Sequence, residues 1–107
     1  MTISEYQDLA ARTINRKLSV QQIQLHALHG LCAEVGEIHG LFQKYFQGHD
    51  FTADDLRKEV GDVAWMLAEL CTANGWSLES VLAENIEKLR RRYPNGFEAE
   101  RSVHREV

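Results

Sequence analysis

The chain has 107 residues, a length that predicts a single domain over residues 1–107. Its formal net charge of −4 at pH 7 argues against a nonspecific nucleic-acid binder, since such proteins are normally basic. No apolar run approaches the ~20 residues that a membrane-spanning helix requires, and the N-terminus lacks the basic-then-apolar order of a signal peptide. Cys32 and Cys71 both fall at apolar helical positions, so we expect free, buried thiols in a reducing cytoplasm, not a disulfide.

The spacing of apolar residues predicts four α-helices. Steps of three and four residues place apolar side chains on one helix face, and such steps recur within residues 3–14, 20–45, 56–70 and 78–93. A side chain that can accept a hydrogen bond from the first helical turn precedes each stretch. These predicted N-caps are Thr2, Ser19, Thr52 and Ser77.

The links between these stretches are short, which predicts antiparallel packing of neighbouring helices. Gly48 and Gly75 are suited to end the second and third helices, and Pro94 stops the fourth. Residues 94–107 have no sustained period, so we expect a C-terminal tail beyond core helices that cover about residues 19–93. The predicted fold is all-α and four-helix bundle-like, completed by oligomerisation because a chain of this size forms only a small core.

Four glycines interrupt the second and third predicted helices, at positions 30, 36, 40 and 61. Each costs roughly 1 kcal/mol relative to alanine in a helix interior. Their number suggests close approach of the backbone to a neighbouring helix or to a ligand. The alternative is that the helices simply tolerate them.

Two acidic pairs share the pattern E-V-G followed by an acid: Glu34 with Glu37, and Glu59 with Asp62. The i, i+3 spacing puts both members of a pair on one helix face. The two pairs lie at nearly equal distances from a turn near residue 49, so an antiparallel arrangement sets them level with each other. Carboxylate oxygens in such an arrangement suit Mg²⁺ or Mn²⁺. Solvated surface carboxylates are the alternative interpretation, and the absence of a Glu-x-x-His pattern argues against a di-iron site.

A second group of polar residues occupies one face of the fourth helix, where Asn85, Lys88 and Arg92 recur at steps of three and four. These side chains could bind phosphate opposite a metal ion. The two cations could equally serve only to complement the negative end of the helix dipole.

Together these motifs resemble a known family. Over roughly residues 20–97 the chain resembles the MazG-like nucleotide pyrophosphohydrolases of the all-α NTP pyrophosphatase superfamily. The resemblance lies in three motifs in a fixed order: E-x-x-E (Glu34, Glu37), then after 21 residues E-x-x-D (Glu59, Asp62), and then N-I-E-K-L-R-R-R-Y-P-N-G-F. Many members carry an additional acid directly before the first motif glutamate, where this chain has Ala33.

The resemblance implies an Mg²⁺-dependent enzyme that cleaves a nucleoside triphosphate between the α and β phosphates; Mn²⁺, which suits the same oxygen ligands, is the possible substitute. The products would be the monophosphate and pyrophosphate, in housecleaning or nucleotide-pool control. Family members are typically dimers or tetramers, with the site formed partly at a subunit interface. No nucleic-acid or membrane partner is implied.

The resemblance also implies a role for each matching residue. The four acids of the two pairs would hold the metal, and Glu34 or Glu37 could take the proton of the attacking water. Asn85, Lys88 and Arg92 would bind the substrate phosphates, with Tyr93 as a further candidate in the same segment. Two other functions stay open: a noncatalytic helical module that binds nucleotide or protein, and a carboxylate metal-storage or redox bundle.

Overall fold

Residues 1–105 are described by a computed structural model. All the regular elements in this range are helical, as predicted. The helices are α1 (Ile3–Ala11), α2 (Val20–Phe46), α3 (Ala53–Ala73), α4 (Leu78–Arg92) and α5 (Ala99–Val103). Among the described residues, no helix combines the length and the hydrophobicity needed to cross a bilayer.

The first four helices begin at the predicted N-caps. The side chains of Thr2, Ser19 and Thr52 each accept a hydrogen bond from a backbone N–H three residues on, in reciprocal capping boxes. Ser77 accepts one from the N–H of Ser80. Each such cap satisfies one of the four N–H groups that a helix start leaves unpaired. At the other ends, the chain turns through Gly48 (φ +95°) and Gly75 (φ +72°), a left-handed conformation that favours glycine.

Helices α2 and α3 form a long antiparallel hairpin, which is the centre of the fold. Gly30 of α2 lies against Met66 of α3, which is 2% exposed. A Cβ atom at Gly30 would stand 2.9 Å from Met66 Cγ and closer still to Sδ. The expected close approach is therefore confirmed at Gly30. At Gly36, Gly40 and Gly61 a Cβ would meet nothing within 4 Å.

Helix α1 packs on the C-terminal half of α3. Tyr6 and Ala10 of α1 contact a small core formed by Ala68, Cys71 and Leu78. Leu78 is the first residue of α4, so this core joins α1, α3 and the start of α4.

Beyond this first residue, α4 contributes nothing further to the buried core of the chain. Leu82, Ile86 and Leu89 are 41%, 46% and 37% exposed. The radius of gyration is 17.1 Å, against roughly 13 Å for a compact domain of this length. The apolar side of α4 that the sequence predicts is present, but within one chain little covers it.

Two features differ from expectation. The predicted tail contains the short helix α5. The sequence pattern did not reveal it because five residues are too few for a periodic signal. Its first residues (Ala99, Glu100, Arg101) are nevertheless good helix formers. The prediction that both thiols are buried is wrong for Cys32, which is exposed, and right for Cys71. Cys32 lies on the side of α2 turned away from α3, whereas burial among α3 and its neighbours raises the pKa of the Cys71 thiol.

Candidate metal site

Three carboxylates meet between α2 and α3. One oxygen each from Glu34, Glu59 and Asp62 can be chosen so that all three lie within 4.8 Å of one another. Glu34 comes from α2 and the other two from α3, so the antiparallel hairpin sets the acidic positions level, as predicted. All three side chains are half-buried. The site is thus built into the seam between two long helices and not onto a loop.

The repulsion among these negative charges affects the pKa of Glu34. Its pKa is raised, first by the loss of solvent around it and then by the negative charges of Asp62, Glu59 and Glu37. Like charges held close together disfavour ionisation unless a cation compensates them.

The donor set fits a hard divalent cation. Such an ion binds carboxylate oxygens, and ligands about 2.1 Å from Mg²⁺ lie roughly 3–4 Å apart. Three oxygens within 4.8 Å of one another need only small side-chain movements to reach that spacing. Glu34, Glu59 and Asp62 are therefore the residues that could hold the ion.

Glu37 has a different position. It lies one turn after Glu34 on α2, is exposed, and is near enough for its charge to raise the pKa of Glu34. It is not one of the three carboxylates whose oxygens come together. The structure therefore brings together three of the four predicted ligands and leaves the fourth at their edge.

The residues predicted to bind phosphate lie on a separate helix. Asn85 and Lys88 are exposed on α4, whereas Arg92 and Tyr93 at its end are half-buried, with the Tyr93 ring centroid 5.6 Å from that of Phe97. Helix α4 starts beyond the C-terminal end of α3, whereas Glu59 and Asp62 lie in the N-terminal half of α3. In the part of the chain that is described, the grouped carboxylates come from α2 and α3.

Tyr6 is a neighbour of the site that the sequence did not reveal. Burial, and then the charge of Asp62, raise the pKa of its phenol, so the ring stands within electrostatic reach of the cluster. In the sequence Tyr6 is only one member of the apolar face of the first helix. Local spacing contains no signal for the pairing of α1 with α3 that brings it to Asp62.

A second acidic group lies farther along the same seam. Glu69 of α3 is 3% exposed, and its Oε2 lies 2.6 Å from Nδ1 of His26 on α2. A buried carboxylate requires a polar partner, and His26 supplies it. This pair links α2 to α3 two turns from Asp62.

Comparisons with known proteins agree with the motifs. The model of the MazG nucleotide pyrophosphohydrolase domain matches residues 22–97, which is more than half of the chain and includes both acidic pairs and α4. The chain is also similar to the Gene 37 protein of Mycobacterium phage L5, with 35% identity over 72 residues. This alignment covers 63% of each protein, so the chain spans less than two thirds of that relative. No solved structure matches the chain.

Proposed function

Because the chain belongs to the MazG nucleotide pyrophosphohydrolase family, we propose that it is an Mg²⁺-dependent hydrolase of nucleoside triphosphates. It adds water across the bond between the α and β phosphates of a ribo- or deoxyribonucleotide. The products are the nucleoside monophosphate and pyrophosphate. Its role is housecleaning or control of the nucleotide pool in the cytoplasm.

The carboxylate cluster is the observation that carries this proposal. Glu34, Glu59 and Asp62 converge from two helices with oxygens within 4.8 Å, and this close grouping of like charges is what a cation would relieve. Bound there, Mg²⁺ would neutralise phosphate charge and lower the pKa of a water molecule. Glu37, exposed at the edge of the cluster, or Glu34 within it can accept the proton of the attacking water.

The phosphate-binding role belongs to α4 in this proposal. Lys88 and Arg92 stabilise the charge that builds on the phosphates as the bond breaks. Asn85 orients the substrate or the water from the same face, with Tyr93 beside them.

We also propose that the chain acts as a homodimer or homotetramer. The exposed apolar side of α4 and the large radius of gyration support a second copy that covers this surface. Ile86→Glu places a charge on that side and should shift the protein toward monomer in sedimentation analysis. Ser80→Glu adds the same charge on the opposite side of α4 and should leave the assembly intact. Equal behaviour of the two variants would argue against an interface on this side of α4.

The reaction itself is tested by measuring product release from a panel of NTPs and dNTPs, with Mg²⁺ and with a chelator. We expect Mg²⁺-dependent pyrophosphate together with an equal amount of the monophosphate. Orthophosphate in place of pyrophosphate would show that a different bond is cleaved. Nucleotide binding without any product, by folded and metal-loaded protein, would favour the noncatalytic binding module.

A further inference from the structure

The first turn of α4 is attached to the rest of the chain by a core contact and by a hydrogen bond. Leu78 is buried in the core shared with α1 and α3, and the hydroxyl of Ser4 donates a hydrogen bond of 2.9 Å to Oε2 of Glu79. From position 79 to position 91 every residue of the helix is exposed. The contacts at its base therefore help to set the direction of α4.

One side chain of α1 bridges the turn at that base. Gln7 donates through Nε2 to the carbonyl oxygen of Trp76 at 2.8 Å and to Oγ1 of Thr72 at 3.1 Å. Its Oε1 accepts a hydrogen bond of 2.8 Å from the backbone N–H of Leu78. Gln7 thus joins the end of α3, the α3–α4 turn and the first residue of α4.

The chemistry of these partners fixes the amide in one orientation. The carbonyl of Trp76 can only accept, and the N–H of Leu78 can only donate. If the Gln7 amide were flipped, its oxygen would face the Trp76 carbonyl oxygen and its NH₂ group would face the Leu78 N–H, so neither hydrogen bond could form. Only a side chain with a donor and an acceptor at the same distance from the backbone makes both contacts.

We propose that Gln7 is a positioning residue that sets the direction of α4 and, with it, the place of Asn85, Lys88 and Arg92 relative to the metal-bound phosphates. The inference rests on the proposed function for its catalytic consequence. Residue 7 lies outside the 22–97 segment that the family model matches, so the role is assigned from the contacts of this chain.

Simple geometry shows why the base of α4 matters. Lys88 lies ten residues beyond Leu78, which is roughly 15 Å along a helix axis, so a tilt of about 10° at the base moves it by roughly 3 Å. A misplacement of about 1 Å can lower a rate by about a hundredfold. Small changes at Gln7 are thereby amplified at the phosphate-binding residues.

Gln24 of α2 provides a matched control. It also donates from Nε2 to the end of α3, to Oδ1 of Asn74 at 3.2 Å and to the carbonyl of Ala73 at 3.5 Å. These bonds attach α2 to the end of α3, and none of them reaches α4. Gln24→Ala thus removes comparable hydrogen bonds without loosening the base of α4.

The experiment compares Gln7→Ala, Gln7→Glu and Gln24→Ala with the parent chain by two readouts. One is kcat/KM for pyrophosphate release. The other is the distance distribution between spin labels on the exposed native Cys32 and on an added cysteine at the exposed Glu84→Cys position. Labelled protein is diluted with unlabelled chain so that distances within one chain are measured.

We expect Gln7→Ala to broaden the distance distribution and to lower kcat/KM by about tenfold or more. Gln7→Glu keeps an acceptor for Leu78 but turns an oxygen toward the Trp76 carbonyl, so it should broaden the distribution less. Gln24→Ala should match the parent in both readouts. If Gln7→Ala fails to fold, the Gln7→Glu comparison decides.

Two outcomes would overturn the proposal: parent-like distance distributions in the Gln7 variants, or the same loss of kcat/KM in Gln24→Ala as in Gln7→Ala. A parent protein that releases no pyrophosphate would refute the proposed function. The label distances would even then decide whether Gln7 holds α4.

Discussion

Asp62→Asn should lower the Mg²⁺-dependent rate of pyrophosphate release by about a thousandfold, because a metal ion contributes several kcal/mol of transition-state stabilisation and each 1.36 kcal/mol is a factor of ten in rate. The helices should stay folded. Asp62 lies in a group of close like charges that raise the pKa of Glu34, so the amide relieves repulsion in the metal-free protein. The paired measurements are kcat/KM and the unfolding temperature, the latter with and without Mg²⁺.

The informative pattern is a loss of activity combined with a metal-free unfolding temperature that does not fall. Mg²⁺ should stabilise the parent by mass action and stabilise Asp62→Asn much less. Asp54→Asn is the matched control, because Asp54 is an exposed acid on the same helix, paired with Lys58 at 3.2 Å. Normal turnover of Asp62→Asn at ordinary Mg²⁺ concentration would remove this carboxylate from the site.

Gly30→Val should lower the free energy of unfolding by about 2–3 kcal/mol, near the upper end of the usual cost of overpacking a core. Even a single Cβ at position 30 would stand closer to Met66 than real Cβ atoms do. Met66 is buried, so it must change conformation or the two helices must move apart. Because Asp62 lies one turn from Met66, separation of the helices would also spread the three carboxylates and weaken Mg²⁺ binding.

Gly40→Ala is the control for this prediction. A Cβ at Gly40 meets nothing within 4 Å, so the substitution should stabilise α2 by about 0.5–1 kcal/mol through helix propensity alone. Urea unfolding of the metal-free proteins at one fixed concentration measures both variants. If Gly30→Val were as stable as the parent, the close contact with Met66 would not limit the spacing of the hairpin.

The features that local chemistry determines were predictable from the sequence. Thr2, Ser19, Thr52 and Ser77 are recognisable as N-caps because a cap involves residues only three positions apart. The level placement of Glu34 with Glu59 and Asp62 was also predictable, since it needs only two helices, a short link and a constant rise per residue.

The remaining features depend on contacts between distant parts of the chain. Periodicity shows that Val60 and Leu67 share a side of α3, but both are exposed, while Met66 and Glu69 face α2. Which side of a helix turns inward is decided by its neighbours, here by the space that Gly30 leaves. The position of Tyr6 near Asp62 likewise follows from the docking of α1. The sequence predicts an assembly but does not show that α4 carries the uncovered surface, because an apolar stripe indicates burial without showing which chain provides the contact.

Because the three carboxylates belong to one helical hairpin, the site can form early in folding. All of them lie between residues 34 and 62, so they can meet as soon as α2 and α3 pair, before α1 or α4 has docked. Contacts between neighbouring helices form early because little chain entropy is lost in making them. A cation that binds these carboxylates would therefore stabilise the paired α2 and α3 by mass action whether or not α1 and α4 are docked.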